Sequence, residues 1–151
     1  MIQGTSNLVD YLAETRLLSG WSREDLDHIA PSFVAKPLDP GDTLFVEGDP
    51  GDAMFLLLEG RLVTIRDGAE VGDLLEGDHL GEGALVDGGP RRASVRAADP
   101  TTIAVLSRNT FDRLEGEAPR LHAQLLAAIL REIKRKMSDA EPFLDTRGDI
   151  R

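Results

Sequence analysis

Hydrophobic positions change their period twice along this chain. From Ser6 to Pro31 they recur at helical spacing: Leu8, Val9, Leu12 and Ala13, then Leu17 and Leu18. Apolar residues three and four apart share one helix face. Ser19-Gly20 interrupts the pattern, and Ser22 restarts it as a helix cap with Asp25 at the third helical position. Leu26, Ile29 and Ala30 face inward on this reading, Pro31 ends the run, and Trp21 packs at the junction.

From Phe33 to Ser107 the period shortens. Glycines at 41, 48, 51, 60, 68, 72, 77 and 81 separate short apolar runs: Thr43-Leu-Phe-Val, Ala53-Met-Phe-Leu-Leu-Leu, Arg61-Leu-Val-Thr-Ile-Arg and Glu70-Val-Gly-Asp-Leu-Leu. Strands at this pitch predict a sandwich or barrel. Pro40-Gly41-Asp42 and Glu47-Gly48-Asp49-Pro50-Gly51-Asp52 are turn chemistry, and Asp67-Gly68 predicts a tight hairpin. Thr101 to Leu106 is the last expected strand.

Helical spacing then returns. Asn109 is the expected cap of a short helix through Phe111 and Leu114, ended by Gly116. Pro119 fits the first turn of a longer helix reaching about Met137. That helix carries two apolar stripes. Leu121, Leu125, Ala128 and Ile129 form one; Leu126, Leu130, Ile133 and Met137 form the other. One stripe covers the β region, and a second stripe with nothing left in the chain to bury it predicts a homodimer through this helix. Lys134, Arg135 and Lys136 are read as cations favoured at a helix C-terminus. Ser138 to Arg151 is polar and is expected to be a tail, with Phe143 and Leu144 its apolar residues. The fold class is therefore mainly β with flanking helices, in one domain: helices over 6–32, a β region over 33–107, helices over 108–138 and a tail over 139–151.

Composition narrows the function. The 151 residues are 41% hydrophobic, enough for a core, and carry a net charge of −10. That charge argues against nonspecific contact with nucleic acid or anionic membrane. The 14 residues after Met137 are too few for a winged helix-turn-helix, so no nucleic-acid partner is expected. Met1 to Asp10 lacks the pattern of a signal peptide, no apolar run reaches the length of a membrane span, and there is no cysteine. A cytoplasmic location is the expectation. Of His28, His79 and His122 only His79 falls in the β region, which argues against a cupin-type metal site. No nucleophile elbow is present, and Asp49 and Asp52 sit beside glycines where aspartate is favoured for turns. No catalytic residue, metal or cofactor is expected.

The candidate chemistry lies in Leu80 to Val95, Leu-Gly-Glu-Gly-Ala-Leu-Val-Asp-Gly-Gly-Pro-Arg-Arg-Ala-Ser-Val. Two glycines flank Glu82, a short helix-capable run follows, and Arg91-Arg92 precedes an alternating segment. Glycine admits close approach of the backbone to a ligand. The start of a helix offers unpaired N–H groups, and arginine presents a fork of donors matching phosphate. Glu82, which would repel phosphate, suits hydroxyl groups such as those of a ribose. Neighbours on a strand face opposite ways, so Arg92 and Ser94 are expected to point away from the Arg91 side, with Arg92 reaching toward a base or phosphate as the alternative that keeps it among the candidate ligand-binding residues.

This stretch resembles the phosphate-binding cassette of cyclic nucleotide-binding domains. The matching run is Leu80, Gly81, Glu82, Gly83, Ala84 and Leu85, then Pro90, Arg91, Arg92 and Ala93, with nine residues from the glutamate to the arginine. Gly83 departs from the usual leucine, and Arg92 from a small or hydroxyl residue. Pro-Gly-Asp at 40–42 and the Gly-x-x-Gly-Asp-x-Met-Phe run from Gly48 extend the similarity over about Asp39 to Leu114. The resemblance implies a β-roll of double-stranded β-helix type, with N-terminal helices and a long C-terminal helix. It implies that Glu82 holds the ribose 2′-hydroxyl, that Arg91 pairs with the cyclic phosphate, and that the amides of Gly83 and Ala84 complete the cradle. The ligand implied is a cyclic purine mononucleotide, cAMP first and cGMP second, bound without chemistry. By the same resemblance a hinge near Phe111 to Gly116 moves the long helix as a lid, Leu125 or Ile129 covers the base, and the output passes to an unidentified protein effector. The alternative is a ligand-independent roll that dimerises and acts as an adaptor.

Overall fold

The computed structural model describes residues 4–140. Two helices open the chain: α1 (Gly4–Ala13) and α2 (Arg23–Ile29), the latter followed by a 3-10 turn over Ala30–Ser32. The Ser22 hydroxyl accepts the Asp25 amide at 3.1 Å, the expected cap. Eight strands follow: β1 (Val34–Leu38), β2 (Thr43–Phe45), β3 (Ala53–Glu59), β4 (Leu62–Arg66), β5 (Ala69–Leu74), β6 (His79–Leu80), β7 (Ser94–Ala97) and β8 (Thr101–Ser107). The short helix α3 (Gly83–Val86) interrupts them, and α4 (Arg108–Glu117) and α5 (Pro119–Ala140) close the described chain.

The strands form two four-stranded antiparallel sheets, β1-β8-β3-β6 and β2-β7-β4-β5. The first sheet lies between two cores. From β3, Ala53, Phe55 and Leu57 face the second sheet, where Leu62, Val95 and Ala97 meet them. Met54, Leu56 and Leu58 face the opposite way, onto the helices, with Leu12, Ile29, Leu125 and Ile129. A strand covered on both faces reads as a continuous apolar run, which is why Ala53 to Leu58 shows no alternation. Pro37 is tolerated because β1 is an edge strand paired only with β8. Asp67 (φ 53°) and Gly68 (φ 80°) turn the β4–β5 hairpin as expected.

Four boundaries differ from the sequence reading. The first helix ends at Ala13, so Leu17 and Leu18 are buried from the turns that follow it and not from a continued helix. The cap of α4 is Ser107, not Asn109; its hydroxyl accepts the Thr110 amide at 3.1 Å, because β8 runs directly into the helix. Gly116 lies inside α4, which ends at Glu117. The long helix begins at Pro119 as expected but continues to Ala140, so Lys134, Arg135 and Lys136 do not lie in its last turn. They therefore do not act as charges in the last turn of the helix. The tail beyond 140, with Phe143 and Leu144, lies outside the described residues.

Candidate functional site

A cavity of about 1020 Å³ opens between the second sheet, the α3 loop and the distal part of α5. It lies at the upper end of the size range of small-molecule clefts. The sequence-predicted residues Gly81, Glu82, Gly83, Ala84, Arg91, Arg92 and Ala93 all line it. Phe45, Val95 and Leu74 supply apolar wall from the sheet, and Ile133, Lys136 and Met137 come from α5.

Arg91 is 8% exposed. Its Nη2 donates to the Ala53 carbonyl at 2.8 Å, and its Cζ lies 4.3 Å from the Phe45 ring centroid and 5.4 Å from that of Phe55. Aromatic faces attract a guanidinium. Burial pushes its pKa down, against the opposing pull of Asp52 and Asp49. The backbone is stapled as well: the Arg91 amide donates to the Asp49 carbonyl at 2.7 Å, and the Gly48 amide to the Arg91 carbonyl at 2.8 Å. The turn over 47–52, read from sequence as connection alone, thus holds the phosphate-type arginine. Gly81 (φ +77°) is needed for space and conformation, since a Cβ there would lie 2.6 Å from Arg91 Nη1. Gly51 acts similarly, with a virtual Cβ 2.9 Å from the Ala84 Cβ.

Glu82 precedes α3 and is 7% exposed. Its Oε1 accepts from His79 Nδ1 at 2.8 Å and from the Lys136 ammonium of α5. Lys136 Nζ also donates to the His79 carbonyl at 3.2 Å. The second ring nitrogen of His79, Nε2, lies 3.0 Å from Glu132 Oε1, which also accepts from Arg135 Nε at 3.0 Å. Burial alone would push the Glu82 carboxyl up. The His79 hydrogen bond and the Lys136 charge outweigh it and hold the group at about 2. Burial likewise raises Glu132, but its bonds to His79 and Arg135 leave it below the ordinary value. Glu82 is therefore an ionised acceptor set into the wall.

Other sequence-predicted residues are placed differently. The Ala84 amide donates to the Gly81 carbonyl at 3.1 Å as part of the turn into α3, so it is engaged within the loop. Arg92 is exposed at the rim, as strand alternation implied. Ser94 stays out of the cradle and accepts the Glu47 amide at 2.9 Å. Leu125 and Ile129 do not cover the cavity. Both are fully buried among α1, α2 and β3, because the part of α5 near Pro119 packs on the N-terminal helices. The apolar residues of α5 at the cavity are Ile133 and Met137, about one and two turns beyond Ile129 on the other stripe.

Sequence reasoning missed three residues. By residue type His79 suggests a metal ligand, and the signal for its contact with Glu82 is their three-residue spacing. Lys136, among three consecutive basic residues, suggests only a charge near a helix end, yet it meets Glu82. Arg108, at the start of α4, donates from Nη1 to the Ala84 carbonyl at 2.8 Å and passes where Gly88 leaves room. Its amide also donates to the Asp52 carbonyl at 2.8 Å, tying the α3 loop, the 47–52 turn and α4 together.

Comparison with known proteins agrees with this geometry. Residues 35–116 match the model of the cyclic nucleotide-binding domain. The cAMP-dependent protein kinase regulatory subunit of Aspergillus niger is 39% identical over 108 residues, covering 70% of this chain and 26% of that protein. The chain thus spans about a quarter of that curated relative. Among solved structures, a cyclic nucleotide-binding domain from Methylobacillus flagellatus aligns with a TM-score of 0.76 and 26% identity, covering 87% of this chain and 77% of the other. The regulatory domain of Toxoplasma gondii PKA crystallised with cAMP aligns with a TM-score of 0.71 and 25% identity, covering 89% and 50%. With the roll, the buried glutamate and the stapled arginine in place, this chain belongs to the cyclic nucleotide-binding domain family.

Proposed function

We propose that this chain binds a cyclic purine mononucleotide, cAMP foremost, in the cavity between the α3 loop and α5, performs no chemistry on it, and transmits occupancy through α5 to a protein effector. The observation that carries this reading is the pair of buried charges lining one cavity: a guanidinium held by rings and backbone, and an ionised carboxylate. An arginine fork suits the cyclic phosphate, and a carboxylate suits ribose hydroxyls. Gly81, Gly83 and Ala93 keep the walls low enough for a ligand to approach. Relatives that respond to cAMP support the choice of base. Signalling follows from linkage: a ligand that favours one position of α5 over another shifts its population. Leu130 and Met137, 49% and 67% exposed, support a second copy of the chain along α5.

Calorimetric titration with cAMP and cGMP tests the reading. Saturable binding by the intact chain, lost in Arg91→Ala and Glu82→Ala, is the expected result. Absence of heat and of a thermal shift at millimolar nucleotide would sink it. The second reading, a ligand-independent adaptor, draws on the fact that Glu82 and Arg91 each have partners within the chain. Under it the same substitutions leave partner binding and self-association unchanged. Sedimentation of the intact chain against Leu130→Glu tests the dimer, which the substitution should dissociate.

A further inference from the structure

We propose that His79 is the positioning residue for Glu82: with both ring nitrogens protonated, it fixes the carboxylate so that Oε2 is left to accept a ribose hydroxyl, and it joins that carboxylate to α5 through Glu132. This role rests on the nucleotide-binding reading above. It makes nucleotide affinity depend on the charge of one buried ring.

His79 is 2% exposed, and its ring lies between two carboxylates. Glu82 Oε1 is 2.8 Å from Nδ1, and Glu132 Oε1 is 3.0 Å from Nε2. An ionised carboxylate only accepts hydrogen bonds, and a neutral imidazole carries a single N–H. A neutral ring would therefore set a bare nitrogen lone pair against a carboxylate oxygen, away from water. Two N–H groups satisfy both acids, so the contacts require the imidazolium. Burial works to raise both carboxyls. The His79 hydrogen bond is the largest opposing influence on each, and it keeps Glu82 at about 2 and Glu132 below its ordinary value. From β3 the neighbour is Leu56, which carries no charge. From α5, Lys136 donates to the His79 carbonyl at 3.2 Å and to Glu82 Oε1, and Arg135 donates to Glu132.

Both hydrogen bonds that Glu82 receives from the described residues fall on Oε1. A carboxylate has two oxygens and about four lone-pair sites, so Oε2 keeps its accepting capacity while the group lines the cavity. An unfixed glutamate must be ordered by its ligand, at a loss of affinity. His79 supplies that order beforehand and from inside the roll: it stands on β6, three residues before Glu82, and is paired with Leu56 of β3. Its other nitrogen sets Glu132 of α5 against the same ring. A ribose on Oε2 and a docked α5 are then served by one cation and do not compete. Loss of the ring proton removes one of the two bonds, so affinity falls as pH rises.

The test follows the ring nitrogens and the affinity of the full chain together. Nitrogen NMR of the isotope-labelled chain without nucleotide should show both His79 nitrogens protonated at about pH 6. Calorimetric affinity for cAMP should fall by a factor on the order of five over the pH interval in which the ring loses its second proton. His79→Asn places an amide near the Nδ1 position, toward Glu82. It should bind cAMP within about twofold of the intact chain at low pH and lose the pH dependence. His79→Gln places its amide toward Glu132 and should bind about fivefold more weakly at every pH. A role in packing alone would weaken both variants alike, and that result overturns the positioning role. So does a ring that holds one proton at about pH 6, an affinity that stays constant while the ring titrates, or a pH profile that survives in both variants. Should neither variant fold, the nitrogen spectra and pH profile of the intact chain still decide. Failure of the intact chain to bind either nucleotide at any pH overturns the binding reading instead, and the spectra without nucleotide still judge the protonated bridge.

Discussion

Arg91 and Glu82 are both charged, both buried and only nine residues apart, yet the fold treats them in opposite ways. Arg91 is held by its own roll: the Ala53 carbonyl, the rings of Phe45 and Phe55, and the backbone staples to Gly48 and Asp49. Glu82 is held by side chains, one of which arrives from α5. The first wall is built by backbone groups and ring faces of the roll itself. The second is a junction between the roll and a helix. A receptor needs both, since a site that binds but touches nothing movable has no output.

The contrast can be broken most sharply at the first wall. Arg91→Ala should lower affinity for cAMP by about a hundredfold or more, because a buried charge-assisted pair with phosphate is lost. Arg91→Lys should recover only part of it, since a point charge lacks the fork. Titration of both variants beside the intact chain gives the answer, and an Arg91→Lys that binds as the intact chain does would remove the geometric part of the argument.

Next in size is a pair of glycine substitutions. Gly81→Ala places a Cβ 2.6 Å from Arg91 Nη1 and 3.1 Å from the Ala53 carbonyl at φ +77°. It should cost about 1–3 kcal/mol by thermal or urea unfolding and displace the guanidinium. Gly83→Ala meets nothing within 4 Å and lies in α3. It should be neutral or stabilising by up to about 1 kcal/mol. Equal destabilisation by the two would show that the Arg91 socket is looser than its contacts imply.

The junction wall is sharpened by acid. The Glu82 carboxyl is held at about 2 in the folded chain, against about 4.3 for a free glutamate. A depressed carboxyl contributes stability that is present above the unfolded value and is lost as pH falls through the folded one. The stability gap between the intact chain and Glu82→Gln should therefore be constant near neutrality. It should shrink as pH drops from about 4.5 toward 2, as read by urea unfolding at each pH. A gap that widens on acidification would reverse the assignment of Glu82 as ionised.

The smallest effect belongs to the bridge between the walls and α4. Arg108→Ala removes the bond to the Ala84 carbonyl and should cost about 1 kcal/mol. It should also weaken the effect of cAMP on exchange in α4 while barely altering affinity. A large loss of affinity would make Arg108 part of the socket rather than its link to α4.

Much of this was legible from residue order alone. Glycine spacing and turn residues announced the roll, and Asp67-Gly68 and Ser22 acted as their chemistry dictates. The Gly-Glu to Arg spacing located both buried charges. Helical period located α5 but not which stripe met what. Leu125 and Ile129 are as apolar as Ile133 and Met137, and only the docking of α5 against the N-terminal helices assigned the first pair to the core and the second to the cavity. The 47–52 turn looked like a connection because its function is a pair of backbone bonds to Arg91, which no side chain advertises.

The sequence by itself determined the local quantities: period, turn type, the Ser22 cap, and the presence of one acid and one arginine at the spacing of a phosphate cassette. These depend on backbone preferences and near neighbours, which act over a few residues. The tertiary structure alone decided that Lys136 reaches Glu82 across 54 positions of chain and that His79 joins Glu82 to Glu132. Charge is long-ranged in space but carries no address along the chain, so a lysine among three consecutive basic residues acquires its partner only when a packed helix fixes where its ammonium ends.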